Sequence, residues 1–563
     1  MLQGLVAGRT PRRLRGLLAI FALGCGALLA VAPSALASVL RVGTFNGKVG
    51  GYHTIQQAVA AAHPGDWVLI APGDYKEAGV TNPVGGRGTG GAVLIEKAGV
   101  HIRGMDRNGV VLDGTKPGAP KCSASAADQE LGPLDKEGRH VGRNGIEVFM
   151  TAGVSVENLT ACNFLTGSGG GGNQVWFNFG DGSGLQMAGG WRGAFLSTTS
   201  TFYESKDKPF GSYGIFVSNT SGPGIYTQVY ANNMADSDFY IGACPDCNTI
   251  LDHAHAENSA LGYSGTNSGG HLTIQNSEFN NNKSGFVSNS QNNDDQPSPQ
   301  DGKCPTGEIG PTGTHNCWLF TKNLVHDNNN PNVPSTGAAE AGPVGTGVVL
   351  SGDRNNIVSG NAVYNNGAWG ILLVPYPDTE EPPPIAKCKG GTEVILNGKH
   401  VCYFDDWGNE VANNLLKNNG TFGNPGNVDL AEIANPNPSP EATGNCWHGN
   451  VAENEPGKKT EPTSEPKEIQ KTHGACGKPD LGGEALTSPL GAQVACDSQF
   501  FAEVVECPTG TGTKYPRFEK VNLQALPAQK TMANACSGVP RNPWCPKNAT
   551  APPPYPVPGQ PAK

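Results

Sequence analysis

The chain has 563 residues, 37% hydrophobic and 16% charged, with a formal charge of −10. That acidic balance excludes nucleic acid and anionic membrane as general partners. An acidic polymer can bind only at a local basic patch or through a bridging cation, so calcium is the one cofactor the composition leaves open.

The chain opens with Arg9, Arg12, Arg13 and Arg15, an apolar run from Leu17 to Val31, and then Pro33-Ser34-Ala35-Leu36-Ala37. A basic start, an apolar middle and an Ala-x-Ala site predict a secretory signal peptide over residues 1–37, cut after Ala37. No second apolar stretch has spanning length, so the mature chain is expected to carry no membrane span and to be extracellular. The leader takes four arginines and no acid with it, leaving −14. It also takes Cys25, one of 15 cysteines. The 14 that remain, in an exported chain, predict disulfides. Close spacing suggests Cys244 with Cys247, Cys304 with Cys317 and Cys388 with Cys402. Cys244-Pro-Asp-Cys247 also has the spacing of a redox motif or half a zinc site. A redox motif wants its first cysteine at a helix start, and tetrahedral zinc wants a second pair that the sequence lacks. No metal ligand is assigned.

Residues 52–75, "YHTIQQAVAAAHPGDWVLIAPGDY", predict a lid. Thr54 caps a short amphipathic helix with Ile55, Ala58, Val59 and Ala62 on one face. Pro64-Gly65 ends it, and "WVLIAPGDY" reads as a first strand and turn. "GSGGGG" at 167 lacks the context of a phosphate loop and reads as a flexible loop.

From there a phrase recurs: "YGIFVSN" at 213, "DFYIGAC" at 238, "LGYSGTN" at 261, "SGFVSNS" at 284, "TGVVLSG" at 346 and "WGILLVP" at 369. The usual step is 23 residues. The step of 62 is read as a hidden unit, "NCWLFTKNLVHDNNN", plus an insertion. Short apolar alternations separated by Gly and Asn are strand-and-turn language. Units of this length without helical period fit a coil of three short strands per turn. Asn tolerates the left-handed backbone that sharp corners need, and its amide can bond its counterpart one coil away. Ile274, Phe279, Val358 and Val363 are expected to point inward. The expected organisation is an all-β parallel helix over 38–435 with inserted loops near 291–316 and 376–402. Residues 436–563 hold a last coil, a flexible linker "GKKTEPTSEPKEIQKTHG", a Cys/Pro-rich appendage and an extended tail.

One unit concentrates chemistry. "LDHAHAEN", residues 251–258, aligns with "IQNSEFNN" by the 23-residue step, so Leu251 and Ala256 fall on inward positions. His253 falls on the corner. Three outward columns result: Thr227, Asp252 and Gln275; Tyr230, His255 and Glu278; Asn232, Glu257 and Asn280, with His326 continuing the last. Tyr, His and Glu side by side make an acid–base set, since His titrates near neutrality and a neighbouring Glu orients it. Tyr230, Asp252, His255 and Glu278 are the candidate catalytic residues. Glu257, Gln275 and Asn280 are the candidate substrate contacts. Asp252 with Glu257 or Glu278 is an alternative hydrolase pair. Metal binding by His253 and His255 is opposed by the corner, which turns them apart. Any such coil also exposes polar residues for solvation alone.

The "TIQxAVxxAxPGDxVxIxPGxY" start with its Asn-rich rungs resembles right-handed parallel β-helix proteins of the pectin lyase-like superfamily, over about residues 42–430. That resemblance implies the fold. It also implies carbohydrate chemistry as a class, as lyase, epimerase or hydrolase, with a non-catalytic carbohydrate-binding or scaffold protein as the alternative. "DSDFYIG" at 236 is similar to a pectin methylesterase strand and "NNDD" at 292 to the paired aspartates of polygalacturonases, but the companion motifs of both families are missing. Arg192, Lys206 and Lys208 are the candidate basic partners of a uronate. The expected partner is polysaccharide or cell-wall carbohydrate, bound by a monomer.

Overall fold

The computed structural model describes residues 37–81, 90–181, 189–291, 318–378, 388, 391–396, 398–434, 443–498 and 514–547. The expected leader and the Pro-rich tail lie outside them. The chain winds into a right-handed parallel β-helix. Most coils lay one strand in a twelve-stranded sheet and two in a 22-stranded sheet, while in two early coils Val154–Cys162 and Trp191–Thr199 run through both positions as single strands. One coil shows the plan. Leu261–Thr266 is the strand of the smaller sheet, Asn267 turns at φ 51°, and Ser268–Gln275 follows. Asn276 then bends the chain at φ 51°, and Glu278–Asn280 completes the coil before Asn281 turns it back at φ 55°. These left-handed positions cost a β-branched residue dearly and Asn little.

Inward side chains stack at the strand spacing. Leu251, Ile274, Phe320, Val358, Val411 and Trp447 form one column. Tyr263, Phe286, Val348, Ile371 and Leu430 form another. All are buried in one continuous core. Its first end is closed by α1 (Ile55–Ala61), whose cap Thr54 accepts from the Gln57 backbone and whose Ile55, Ala58 and Val59 are buried. The Glu77 carboxylate accepts from the Ile55 backbone at 2.6 Å, as an anion should at a helix start.

Buried asparagines bind coil to coil. Asn282 donates to Asn328, Asn328 to Asn366 and Asn366 to Asn419, at 3.1–3.2 Å. A second ladder runs from Asn361 to Asn414 to Asn450 and ends on Gln470. Gln470 lies in α3 (Ile469–Thr472); α2 (Gly337–Glu340) precedes it and α4 (Pro489–Asp497) follows.

Several expectations change. The 62-residue step is one coil, not two, because Phe286 pairs directly with Val348 and leaves no place for a strand between them. The supposed hidden unit supplies that coil's other two strands, Trp318–Thr321 and Leu324–His326. The expected linker is ordered. Lys458–Thr460 pairs back on Val451–Glu455, Ser464–Glu465 joins the smaller sheet, and Ile469 is fully buried. "GSGGGG" forms a tight two-strand turn rather than a loose loop.

Five disulfides have both cysteines among the described residues. Cys244–Cys247 and Cys388–Cys402 are the expected close pairs. Cys122–Cys162, Cys446–Cys476 and Cys536–Cys545 complete the set. Cys304 and Cys317 lie outside the described residues. Cys244 and Cys247 are fully buried at the start of a strand, so the redox and zinc readings fall away.

The C-terminal appendage runs back along the β-helix. Lys514 donates to Gly423 and Tyr515 bonds Asn427, near the last coils. Glu519 then donates to Asn332, Gln524 exchanges two bonds with Asn233, and Gln529 exchanges two with Asn108. Arg103 reaches Ser537, and Trp544 donates to Lys48 in the first coil. Residues 514–547 are thus a strap along most of the solenoid.

Candidate functional site

The register places the outward columns as aligned from sequence. Tyr230 pairs with His255 and His255 with Glu278, while Asn232, Glu257, Asn280 and His326 follow one another two positions on. Thr227, Asp252 and Gln275 form the third column. Tyr230 Oη donates to Glu257 Oε1 at 2.5 Å, and its ring meets the His255 ring edge-on at 5.3 Å. His255 Nε2 lies 2.7 Å from Asn280 Oδ1 and 3.8 Å from Glu257 Oε2. Glu278 Oε1 lies 3.1 Å from His326 Nε2, whose other nitrogen meets Asp327 Oδ2 at 2.6 Å. Tyr364 stacks on the His326 ring at 4.7 Å.

The electrostatics divide these groups. Burial first, and then the Glu257 carboxylate, push the Tyr230 phenol far above its usual value. It stands as a proton donor, not a base. The hydrogen bond from His326 holds Glu278 below the ordinary carboxylate value, against the opposing effect of burial. Burial draws His326 down, but Glu278 and Asp327 outweigh it and leave the imidazolium above its ordinary value. Two expectations of a solvated face need correction. Tyr230 is 1% exposed and Asn280 is 7%. Asp252 belongs to a different group, bonded to His253 at 2.7 Å, Gln275 at 3.2 Å and Asn276 at 2.8 Å. His253 sits at the left-handed corner and pairs with Asp252, while His255 turns to Asn280.

The cavity that walls and loops create lies elsewhere. A cleft of about 310 Å³ opens on the outer face of the twelve-stranded sheet. Register makes its floor from Phe216, Tyr240, Ser264, Val287, Val349 and Leu372, one from each of six successive coils. Six strands at about 4.8 Å span roughly 24 Å. A parallel row of Thr266, Asn289, Ser351 and Val374 runs beside it. The segment from Gly337 to Pro343 forms one wall with Val494 and Ser498, and Gln291 and Tyr376 form the other edge.

At one end the rings converge. Tyr213 stacks on Phe216 at 4.5 Å, Phe216 meets Tyr240 at 4.6 Å, and Trp176 continues the row beyond the cleft, 5.4 Å from Phe216. Polar groups stand around them. Tyr213 donates to Asp236 at 2.8 Å, Thr266 to Asn289 at 2.9 Å, and Gln291 to the Tyr376 hydroxyl at 2.7 Å. The sequence carried a signal for this surface that repeat alignment passed over. "VWF", "IFV" and "FYI" put Trp176, Phe216 and Tyr240 on the outward phase of three successive strands.

Two side-chain groups among the described residues bring three possible metal ligands together: Cys446, His448 and Cys476, and Asp113, Cys122 and Cys162. In each the cysteines are joined as a disulfide, which removes the thiolates a metal needs. Among the described residues, no helix is long and apolar enough to cross a membrane.

No family model matches the chain, and no curated protein does. Solved structures do. The A-module of an Azotobacter vinelandii mannuronan C-5 epimerase shares 10% identity at a TM-score of 0.36, over 69% of this chain and 87% of that one. An alginate lyase from a Paenibacillus species shares 12% at 0.33, over 74% and 95%. The tailspike protein of E. coli bacteriophage HK620 in complex with pentasaccharide shares 12% at 0.37, over 69% and 60%. At such distances activity does not carry over, and the register of the strands speaks for itself. By that register the chain is a right-handed parallel β-helix.

Proposed function

We propose that the protein is an extracellular carbohydrate-binding β-helix and that the cleft on its twelve-stranded sheet seats a segment of polysaccharide. The observation that carries this reading is the ring row of Tyr213, Phe216 and Tyr240 beside Asp236, Asn289 and Gln291 in one elongated cleft. The carbon–hydrogen faces of a sugar ring are apolar and suit an aromatic face, while its hydroxyls need donors and acceptors at the rim. The disulfides fit an oxidising, extracellular setting. The test is affinity electrophoresis of the secreted protein against a polysaccharide panel. Retardation by at least one glycan, weakened about tenfold or more in Tyr240→Ala, is expected. Equal retardation of both proteins removes the cleft from the reading.

A second reading rests on a separate observation. His255 and Glu278 share one outward column, with Glu257 and His326 on the next. Such a set can take a proton beside a carboxylate and return one, as a uronan lyase or epimerase must. Asp252 supplies a further carboxylate for hydrolysis. In this reading Glu257 and Gln275 contact the sugar, the buried Tyr230 and Asn280 orient Glu257 and His255, and calcium bridges an acidic chain. Incubation with uronans, with and without calcium, should release unsaturated uronates or reducing ends, and His255→Ala and Glu278→Ala should each lose at least tenfold. Full turnover in both variants removes this site.

A further inference from the structure

We infer that the cleft on the twelve-stranded sheet takes a neutral sugar chain and discriminates against uronans. The inference rests on the cleft being a carbohydrate site, as proposed above, and goes on to name the substrate class. Among the described residues the lining holds no lysine, arginine or histidine, and its one charged side chain is the carboxylate of Asp236. None of the three basic residues singled out from sequence, Arg192, Lys206 and Lys208, lines the cleft, and the first two are paired. Arg192 Nε lies 2.7 Å from Glu157 Oε1 in a buried pair that also holds Arg103. Lys206 meets Glu340 at 3.1 Å. Lys283 lies under α2, its ammonium bonded to the Glu340 carbonyl.

A uronate carboxylate entering this cleft loses water and finds no countercharge, and a buried charge without a partner is strongly disfavoured. Asp236 adds repulsion at the ring end, where a sugar stacked on Phe216 and Tyr240 has to sit. A neutral pyranose meets the opposite situation. Its apolar face covers what Tyr213, Phe216 and the largely buried Tyr240 leave open, Phe216 and Tyr240 lying one coil apart, and continues over Val287, Val349 and Leu372. Its hydroxyls donate to the Asp236 carboxylate and exchange bonds with the Asn289, Gln291 and Thr266 side chains. The amides and hydroxyls of this rim both give and accept hydrogen bonds and so match sugar hydroxyls, while its one full charge, on Asp236, opposes an anion and no cation offsets it.

The experiment is calorimetric titration of the full secreted protein with size-matched neutral and carboxylated oligosaccharides, such as xylo-, cello- and chito-oligomers against oligogalacturonate and oligoalginate. The neutral class is expected to bind at least tenfold tighter, with a loss of tenfold or more in Tyr240→Ala. Phe216→Ala replaces it if Tyr240→Ala melts below the assay temperature. Asn289→Lys, which places an ammonium at the rim, is expected to raise affinity for the carboxylated class and to lose that gain in high salt. Tighter wild-type binding of carboxylated oligomers, still lost in the ring variants, overturns the charge inference and leaves the cleft as the carbohydrate site. Binding of either class that survives both ring substitutions, or no binding by any member of either class, overturns the cleft and the inference together.

Discussion

Asparagine doublets show how one residue type does two jobs at adjacent positions. In Asn281-Asn282, Asn365-Asn366, Asn413-Asn414 and Asn418-Asn419 the first member turns the chain at φ 52–57°. The second points inward and bonds the next coil, save Asn419, which ends its ladder on Asp429. The sequence shows the doublets plainly, but propensity alone does not say which member turns and which bonds. The two jobs predict different costs. Asn361→Ala removes the acceptor of the Asn323 backbone and the donor to Asn414 and Phe320, leaving buried groups unpaired. It should cost about 2–4 kcal/mol in denaturant unfolding. Asn413→Gly keeps a residue that accepts positive φ and should stay within about 0.5 kcal/mol. Similar costs for both would show that the ladder does not bear the stability assigned to it.

The Glu278–His326 pair belongs to the same scale. Glu278 is held below its ordinary 4.5, so its contribution is present above that value and is lost as pH falls through the folded one. His326 is held above its ordinary 6.5, so its contribution is complete below that value and fades as pH rises through the folded one. The pair is therefore at full strength between 4.5 and 6.5. In Glu278→Gln the imidazole resonances of His326 should titrate at lower pH than in the wild type. An unmoved titration would show that Glu278 does not set it.

At the scale of elements, the repeating coil was legible because strand alternation and step length are local properties. Thus the columns of Tyr230, His255 and Glu278 and of Asn232, Glu257 and Asn280 follow from a 23–25-residue shift alone. What the shift does not reveal is which face acquires walls. The cleft needs α2 packed on Leu261 and α4 packed with Val349 and Leu372, and the α4 contacts join segments more than a hundred residues apart. Insertion arithmetic also misled, since surplus length can fall at two corners of one coil. Only the Phe286–Val348 pairing tells that case from an extra coil. Outward aromatics were a usable cue because burial does not demand them on that phase, yet chain-order reading weights inward positions first.

For the whole molecule, a solenoid on its own is a chain of nearest-neighbour contacts, so its ends can fray independently. The strap alters that by tying Gly423 and Asn427 to Lys48 through one covalent segment. Corner residues Asn158 and Asn233, left-handed in backbone, lend their amides to it. Its composition, rich in Pro and poor in alternation, announces extension but not destination. Deleting residues 514–563 should cost several kcal/mol, at roughly 1 kcal/mol per lost hydrogen bond. It should also raise amide exchange in the first coils, at Val68 and Ile102, ahead of the middle ones. Unchanged exchange there would mean the strap holds nothing it touches.

The return path brings Ala37, Val39 and Phe45 into one apolar cluster with Trp67, Val539, Trp544 and Cys545. A rod of stacked coils ordinarily keeps its entry and exit a full length apart, whereas this one has both leaving from the same face. Tethering by either extremity would therefore present the opposite end outward, and a short peptide splice from Lys547 to Ser38 would give a circular backbone that could be reopened at the exposed Pro456-Gly457 bend.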